Sequence, residues 1–450
     1  MIKPAMIKPA IPAIPAAPRP LSRRAFLGDC AALSAIPLLA GLPVSAFAAG
    51  SDRLKIGLVG CGGRGIGAVR DCIAAEPSVQ LWALGDIFAD RVEAARDDFS
   101  NGRKDKNGKI TRPPLSKDNY KAAPDREFTG FDAYKGVINS GIDIVILATP
   151  PGFRPPHMEA AINAGVHVFA EKPVAVDPAG ARRVIAIGEL AKQKRLAIGT
   201  GTQRRHTNSF QAVMQRVRDG AIGEVTGGQC YWLGGGLWHR GRKPEWTEME
   251  YQIRNWYYFN WLCGDHIVEQ HIHNIDVINW AFDGPPVKAL GMGGRQWRTG
   301  PEYGEIWDHF AVEFEYANGA RVASYCRHTK GAASREGERV TGTLGNAEPK
   351  RGSITGKNAW TFEGEINKGM VQEHADLIAS IREGEPINDA RRIAESTLTA
   401  IMGRMSAYTG RELSWTWVLN ASKLDLTPPA YAFGDAPPVN IAVPGETPLV

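Results

Sequence analysis

The stretch that decides the fold runs from residue 54 to residue 65 and reads LKIGLVGCGGRG. Residues 54–59 predict a buried strand, and residues 66–75 predict a helix. Three glycines lie between them, Gly60, Gly62 and Gly65, in the spacing G-x-G-x-x-G. In this setting the first glycine permits a tight turn, the second admits a pyrophosphate close to the backbone, and the third lets the helix pack against the strand. The stretch therefore predicts a parallel, doubly wound α/β domain that binds a dinucleotide.

A second strand, residues 79–85, ends at Asp86, 21 residues after Gly65. An acidic residue at this point accepts hydrogen bonds from both ribose hydroxyls and repels a 2′-phosphate, so we expect NAD rather than NADP. Arg91 lies close by in the sequence and would partly offset that repulsion. Residues 142–149 predict a later core strand, and the polar residues 100–125 predict a surface insertion.

The first fifty residues have the character of an export signal. Arg23 and Arg24 precede a small, mostly apolar stretch over residues 31–47, which ends in the cleavage pattern Ala46-Phe47-Ala48. Residues 1–48 therefore resemble a twin-arginine signal peptide, and we expect a periplasmic or secreted protein. The alternative, an amphipathic first helix, is disfavoured because two prolines within the stretch would break it. No later run reaches the roughly 18 apolar residues of a membrane span.

Charge and cysteine content exclude other classes of protein. The formal net charge is +5, and residues 1–48 account for most of it because they hold five basic residues and one acidic residue. The rest of the chain is close to neutral and lacks the basic surface of a nucleic-acid-binding protein. Five cysteines follow residue 48, at spacings that match neither a disulfide framework nor a zinc site. We expect them to pack as small hydrophobic side chains.

A second motif follows the proline pair at residues 150–151. Residues 157–165 predict a helix that ends at Gly165, and residues 166–170 predict a short strand. Glu171, Lys172 and Pro173 come directly after it. Together with the glycine motif and Asp86, this ending resembles the hallmark of the glucose–fructose oxidoreductase/inositol dehydrogenase (Gfo/Idh/MocA) family. The resemblance runs from residue 54 to about residue 424.

The resemblance implies a subunit of two domains. A Rossmann domain over residues 52–173 would precede an α/β domain over residues 174–425, with a mostly antiparallel open sheet that binds substrate and supports oligomerisation. The nicotinamide would lie between them, and a C-terminal helix would pack back onto the first domain. Residues 426–450 are rich in proline and would form an extended tail. Because an open sheet face commonly seeks a partner, we expect a homo-oligomer.

The resemblance also assigns the site residues. The family's lysine falls on Lys172, which in such enzymes contacts substrate and cofactor and supports proton transfer. An ammonium group can hydrogen-bond the oxyanion that develops as a hydroxyl loses its proton. The predicted cofactor-binding residues are Gly60, Gly62, Gly63, Arg64, Gly65, Asp86, Thr149, Pro150, His157, Glu171 and Lys172.

A further set of polar residues lies within residues 264–280, which predict one helix. Glu269, His273 and Asp276 are spaced four and three apart and would share a face. The family usually shows Asp-x-x-x-His-x-x-Asp here, which makes His273 the catalytic base and puts Glu269 in place of the first aspartate. A histidine suits a base because its ordinary pKa, ~6.5, is close to working pH, and a nearby carboxylate would orient it.

A metal site is the alternative reading of this helix, with His266 and His271 as further ligands. His271 and His273 are two residues apart, however, and would point away from each other on a helix. We therefore expect no metal, and we expect His271 to be a core histidine with its hydrogen bonds satisfied.

Residues 231–261 are rich in aromatic side chains interleaved with arginines. Such a cluster suits a carbohydrate site, because sugars stack C–H faces on rings and bond polar groups. Burial in a core or a subunit interface is the alternative for any single member. The predicted substrate contacts are Arg254, Trp256, Tyr258 and Asp276. Downstream, residues 287–297, 308–316 and 320–328 predict strands, with a turn at Asn318-Gly319, and residues 371–383 and 390–408 predict helices.

These features predict an exported NAD(P)-dependent oxidoreductase that moves hydride from a carbinol of a sugar or sugar derivative to tightly bound nicotinamide. Because a periplasm offers no nicotinamide pool for exchange, the cofactor would be regenerated in place, which favours redox-neutral chemistry. One alternative is an NAD-dependent glycoside hydrolase, in which transient ring oxidation acidifies the neighbouring carbon and permits elimination of the aglycone. Another is a non-catalytic sugar-binding protein, which would lack the lysine–histidine pair.

Overall fold

The computed structural model describes residues 53–450, and the predicted export signal lies outside the described residues. The strands are β1 Lys55–Val59, β2 Gln80–Asp86, β3 Arg103–Lys104, β4 Ile110–Arg112, β5 Glu127–Thr129, β6 Ile144–Leu147, β7 His167–Ala170, β8 Ile198–Thr200, β9 Val225–Gly234, β10 Lys288–Gly294, β11 His309–Glu315, β12 Arg321–His328, β13 Arg335–Gly342, β14 Gly345–Glu348, β15 Ser353–Gly356, β16 Trp360–Thr361 and β17 Leu413–Ser414. The α-helices are α1 Gly63–Ala75, α2 Ala89–Asn101, α3 Ala133–Ile138, α4 Arg154–Asn163, α5 Pro178–Lys194, α6 Asn208–Arg218, α7 Glu248–Arg254, α8 Asn260–Cys263, α9 His266–Glu269, α10 Ile272–Ala281, α11 Gly369–Arg382, α12 Ala390–Thr409 and α13 Trp415–Asn420.

The first sheet is parallel, with strand order β5-β2-β1-β6-β7-β8. β1 lies between β2 and β6, and its last residue, Val59, pairs with Gly85 on one side and Leu147 on the other. Apolar clusters cover both faces of this sheet. The strand order reverses between β1 and β6, which is the point where such sheets bind ligands. The predicted doubly wound domain is confirmed, and its sheet continues through α5 to β8, past the predicted boundary at residue 173.

The second sheet has nine strands in the order β16-β15-β14-β13-β9-β12-β11-β10-β17. Its neighbours are antiparallel except β9 and β12, which run parallel. The strands predicted between residues 287 and 328 form β10, β11 and β12. Helices α10 and α12 pack against one face of the sheet, whereas Leu290, Met292 and Tyr325 are exposed. This is the mostly antiparallel open sheet that the sequence predicts.

Residues 264–280 depart from the prediction, because two helices, α9 and α10, replace one. At the break the N–H of His271 donates to the carbonyl of His266, five residues back, which is a π-type turn. The His271 ring is fully buried, and its Nε2 lies 2.8 Å from Oγ of Ser324 on β12. The chain leaves the helical path where this ring reaches the sheet. The prediction of one continuous helix is therefore wrong.

The C-terminal helices join the two domains. α11 packs against α1, and α12 packs against α5 and β10. Residues 426–450 contain no helix or strand, and we call them the C-terminal tail.

The cysteines of residues 53–450 are buried and free, namely Cys61, Cys72, Cys230, Cys263 and Cys326. Burial raises the pKa of the Cys72 and Cys230 thiols to about 12, so both stay protonated. They pack as small hydrophobic side chains, as predicted. No helix within residues 53–450 is long and apolar enough to cross a membrane.

Candidate active site

A cleft of about 550 Å³ opens at the carboxyl ends of β1, β2 and β6, and both domains line it. The predicted site residues that line it are Gly60, Gly62, Gly63, Arg64, Asp86, Thr149, Pro150, His157, Glu171, Lys172, Arg254, Trp256, Glu269 and His273. Three predicted residues, Gly65, Tyr258 and Asp276, do not line it. The fold thus brings the glycine motif and the lysine–histidine pair to one cleft.

The glycine loop has the shape that a dinucleotide requires. Gly60 has φ +97°, and a Cβ there would lie 2.6 Å from the carbonyl carbon of Ala148. A Cβ at Gly65 would lie 2.0 Å from the carbonyl oxygen of Gly60, so this glycine serves the packing of α1 on β1. At Gly62 and Gly63 a Cβ would meet no atom within 4 Å, because both residues face the cleft. The amino end of α1 is therefore open to a pyrophosphate.

Gly62→Ala tests this geometry. The added methyl group meets no protein atom, so we expect the melting temperature to change by less than roughly 2 °C. Because it would stand where the pyrophosphate approaches the backbone, affinity for NAD should fall at least about tenfold in calorimetric titration. Gly65→Ala is the matched control, since its methyl group clashes with the backbone and should cost stability instead. Unchanged NAD affinity in Gly62→Ala would contradict the assignment.

Asp86 lies at the end of β2 and is tied to the glycine loop. Its Oδ2 accepts the N–H of Cys61 at 2.8 Å, and its Oδ1 accepts the N–H of Phe88 at 3.0 Å. Burial raises the pKa of this carboxyl above its ordinary value, although both N–H bonds act in the opposite direction. Each oxygen retains acceptor capacity for a ribose hydroxyl.

Arg64 links the glycine loop to the Glu-Lys-Pro segment. Its Nε bonds Glu171, its Nη1 lies 3.0 Å from Asp71, and its Nη2 lies 3.5 Å from Glu373 on α11. Burial, and then the Glu171 carboxylate, hold the pKa of Glu373 well above its ordinary value, which favours the protonated form. One arginine therefore fixes the glycine loop relative to the residue before Lys172, and it also approaches a C-terminal helix.

Lys172 is held by a single residue of the second domain. Its Nζ donates to the backbone carbonyl of Glu269 at 2.7 Å and to Oε1 of Glu269 at 3.1 Å. In a continuous helix that carbonyl would accept the N–H of His273, which here donates to Gln270 instead. The break between α9 and α10 thus frees an acceptor for the lysine. An ammonium group has three N–H donors, so one remains for a ligand in the cleft.

His273 lies at the start of α10, and its ring stacks on Trp232 with centroids 6.0 Å apart. Burial, and then the positive charge of Lys172, hold the pKa of His273 well below its ordinary value. The imidazole is therefore neutral near pH 7 and can accept a proton. Glu269 was expected to orient this ring. Its carboxylate instead bonds Lys172, and no hydrogen bond joins it to His273 in the described part of the chain.

Three predicted substrate contacts form hydrogen bonds within the protein. Asp276 accepts two bonds from Arg205, at 2.8 and 2.9 Å, behind the cleft. Burial would raise its pKa, but Arg205 and a second arginine outweigh burial and lower it to about 2. Tyr258 is buried, and its hydroxyl donates to the carbonyl of Trp238 at 2.7 Å. Arg254 lines the cleft, but its guanidinium bonds carboxylates of α2 and α7.

The cleft also contains residues that the sequence analysis did not assign. Arg154 is buried and donates to the carbonyl of Pro173, and burial lowers its pKa to about 10. It lies three residues before His157 on α4, so helical spacing could have found it. Gln203 and Met370 also line the cleft. They come from distant parts of the chain, and no local pattern marks them.

Aromatic side chains of the second domain line part of the cleft. Trp238 and Trp256 have ring centroids 6.4 Å apart, and the Arg240 guanidinium lies 5.3 Å from the Trp238 ring. All three line the cleft. Rings beside donors in one cleft can stack on the C–H face of a sugar and bond its hydroxyls. Within residues 53–450, no group of three or more His, Cys, Asp and Glu residues is arranged to hold a metal ion.

Two family models match the chain. The oxidoreductase family, NAD-binding Rossmann fold, matches residues 54–201, and the GFO/IDH/MocA C-terminal domain matches residues 210–348. An inositol 2-dehydrogenase of Pseudomonas fluorescens is 31% identical over 171 residues, which are 37% of this chain and 44% of that protein. A glycosyl hydrolase family 109 protein of Streptomyces coelicolor is 28% identical over 235 residues, 47% of this chain and 45% of that protein.

The chain spans about half the length of the curated relatives it matches. Among solved structures, scyllo-inositol dehydrogenase from Lactobacillus casei with bound NAD(H) and scyllo-inositol has a TM-score of 0.60 and 16% identity, and the match covers 80% of this chain and 99% of that one. This likeness shows a shared fold. Since both halves of the cleft fall within matched segments, we conclude that the chain belongs to the Gfo/Idh/MocA family of oxidoreductases.

Proposed function

We propose that this enzyme oxidises a secondary alcohol of a sugar or sugar derivative, with hydride passing to NAD held tightly in the cleft. The observation that carries the proposal is that Lys172 and His273 line the same cleft as the glycine loop. Trp238 and Trp256 support the assignment to a carbohydrate, because paired aromatic faces beside hydrogen-bond donors suit a sugar ring.

Lys172 and His273 would together remove the proton of the substrate hydroxyl. The remaining N–H of Lys172 donates to the substrate hydroxyl and stabilises negative charge on its oxygen as the proton leaves. A neutral imidazole on His273 accepts that proton. The nicotinamide, when bound, supplies the hydride acceptor. The carbon–hydrogen bond breaks, and its electron pair leaves as hydride while the C–O bond becomes a carbonyl.

Asp86 supports NAD over NADP as the preferred cofactor. Its half-buried carboxylate ends the second strand of the sheet, from where an acidic residue can bond the adenosine ribose, and a 2′-phosphate there would meet negative charge. Titration of the apoprotein with NADH and NADPH, followed by fluorescence, tests this preference. Equal affinity for the two would contradict it.

A second candidate is NAD-dependent cleavage of a glycoside, favoured by the similarity to the family 109 glycosyl hydrolase. In this reaction His273 and Lys172 would support a transient ketone on the sugar ring, which acidifies the neighbouring C–H and permits elimination of the aglycone. Water then adds across the new carbon–carbon double bond, and hydride returns to the ketone carbon. The two candidates differ in their products, because cleavage releases a leaving group without net NADH.

The proposed setting is an exported homo-oligomer. The leader sequence supports twin-arginine export of a folded protein with its cofactor already bound, which favours redox-neutral turnover.

The open face of the second sheet, with Met292 70% exposed, supports a subunit contact. Light scattering of the mature protein measures the oligomer, and fractionation of the native host locates it. A monomer, or a cytoplasmic pool alone, would contradict these proposals.

The decisive experiment for the function is a substrate panel. Native mass spectrometry first determines whether the purified protein retains dinucleotide. Inositols, aldoses and chromogenic glycosides are then tested for NADH formation and for release of the leaving group, with Lys172→Ala as the control for background activity. Turnover of none of them by a dinucleotide-loaded protein would contradict the proposal. Turnover only with excess free NAD would contradict tight retention.

A further inference from the structure

The C-terminal tail lies outside both matched family segments, the second of which ends at residue 348. Its first part, residues 426–437, nevertheless follows a defined path along the outside of the cleft wall. Three hydrogen bonds fix that path: Leu426 N–H to Asp177 Oδ2 at 2.7 Å, Met249 N–H to Gly434 O at 3.0 Å, and Gln252 Nε2 to Pro437 O at 3.1 Å. Two of the three join the tail to α7.

Two aromatic rings of the tail pack behind the cleft wall. The Phe433 ring centroid lies 5.0 Å from that of Phe131 and 6.0 Å from that of Phe88. The Tyr431 ring lies 5.5 Å from Phe153. Phe88, Phe131 and Phe153 all line the cleft, and Phe88 follows the ribose-binding position by two residues. The tail therefore forms a second layer behind the adenosine end of the cleft.

An ion pair joins α7 to the Rossmann domain at the same end. Arg254 donates to both carboxylate oxygens of Asp90 on α2, at 3.1 Å each. Its guanidinium lies 3.9 Å from the centroid of the Phe88 ring. The helix that holds the tail is thus attached to the helix that follows Asp86.

We propose that residues 426–437 and α7 form a clasp over the adenosine end of the cleft, and that this clasp sets the rate at which an adenine dinucleotide leaves. The proposal rests on the proposed function, since it gives the tight retention of NAD a structural cause. Phe88 and Phe131 line the cleft, and Phe433 contacts both rings from the side away from the cleft, so the clasp opposes outward movement of this wall during release. Contacts that must break before release act on the dissociation rate.

The test is the double variant Tyr431→Ala/Phe433→Ala, compared with Ile441→Ala/Val443→Ala on the exposed far part of the tail. Release of NADH is followed by stopped-flow fluorescence with excess NAD as the displacing ligand and no sugar present. Loss of two aromatic contacts should speed release about tenfold, whereas the control should stay within about twofold of the parent. Asp90→Asn, which weakens the ion pair from the opposite side, should also speed release.

Release from the aromatic variant within about twofold of the parent overturns the proposal, as does equal acceleration in the control. If the aromatic variant fails to fold, the rate of NADH release from Asp90→Asn tests the proposal instead. A parent protein that binds NADH but oxidises no sugar contradicts the proposed function alone, because release is measured without substrate. A parent protein that binds no NADH overturns both.

Discussion

Lys172→Ala is expected to lower kcat by about 10³-fold, the range for loss of a group that stabilises charge and assists proton transfer. The physical reason is that Lys172 retains one N–H donor for the substrate oxygen after its two bonds to Glu269. The dissociation constant of NADH should change by less than about threefold, because the glycine loop and Asp86 hold the dinucleotide. Steady-state kinetics on the best substrate of the panel, with NADH titration alongside, measure both.

Two further variants separate catalysis from stability. Lys109→Ala removes an exposed lysine beside β4, and it should leave kcat unchanged. Glu269→Gln keeps the backbone carbonyl that accepts from Lys172, so its loss in kcat should be smaller, about tenfold. Melting curves are recorded for each, because Lys172→Ala leaves the Glu269 carboxylate buried without its cation. If well-folded Lys172→Ala keeps more than about a tenth of the activity, the assigned role is wrong.

His273→Ala should lower kcat/KM by about 10³-fold at pH 7, through loss of the general base. In the parent enzyme burial and Lys172 hold the pKa of His273 well below 6.5. The imidazole therefore remains neutral as the pH falls through 6.5, and the acid limb of the pH–rate profile should lie below that value. A profile of kcat/KM from about pH 5 to pH 9 measures it.

The lysine also provides the control for this second prediction. Removal of its positive charge raises the pKa of His273, so the acid limb in Lys172→Ala should move to higher pH. A structural histidine far from the lysine would show no such shift. An acid limb close to pH 6.5 that is identical in the parent and in Lys172→Ala would contradict the pairing of these two residues.

The sequence predicts the Rossmann half of the site well because its signals are local. The glycine loop, Asp86 and Lys172 each follow a buried strand directly, so their place at the carboxyl edge of a parallel sheet follows from topology. In the second domain the determinants are distant. The helix break near His271 depends on Ser324, a contact that no helical periodicity encodes.

Distant partners also determine where two of the predicted substrate contacts lie. The sequence places Asp276 on a catalytic face, but Arg205, 71 residues away, binds its carboxylate behind the cleft. The Tyr258 hydroxyl likewise donates to a distant partner, the backbone carbonyl of Trp238, which lies 20 residues away in the sequence. The tail is rich in proline and was expected only to be extended. The fold returns its Phe433 ring to Phe131 and Phe88, a contact between distant parts of the chain.

Gln270 and His271 form the break between α9 and α10, and redesign of these residues for thermal stability alone would affect the active site. Substitutions that fuse α9 and α10 into one helix would restore the hydrogen bond from the N–H of His273 to the carbonyl of Glu269. The Glu269 carbonyl would then accept a hydrogen bond within the helix and would no longer be available to Lys172. Selection for folding alone would therefore place no demand on the interruption between the two helices, whereas selection that also measures turnover would preserve it.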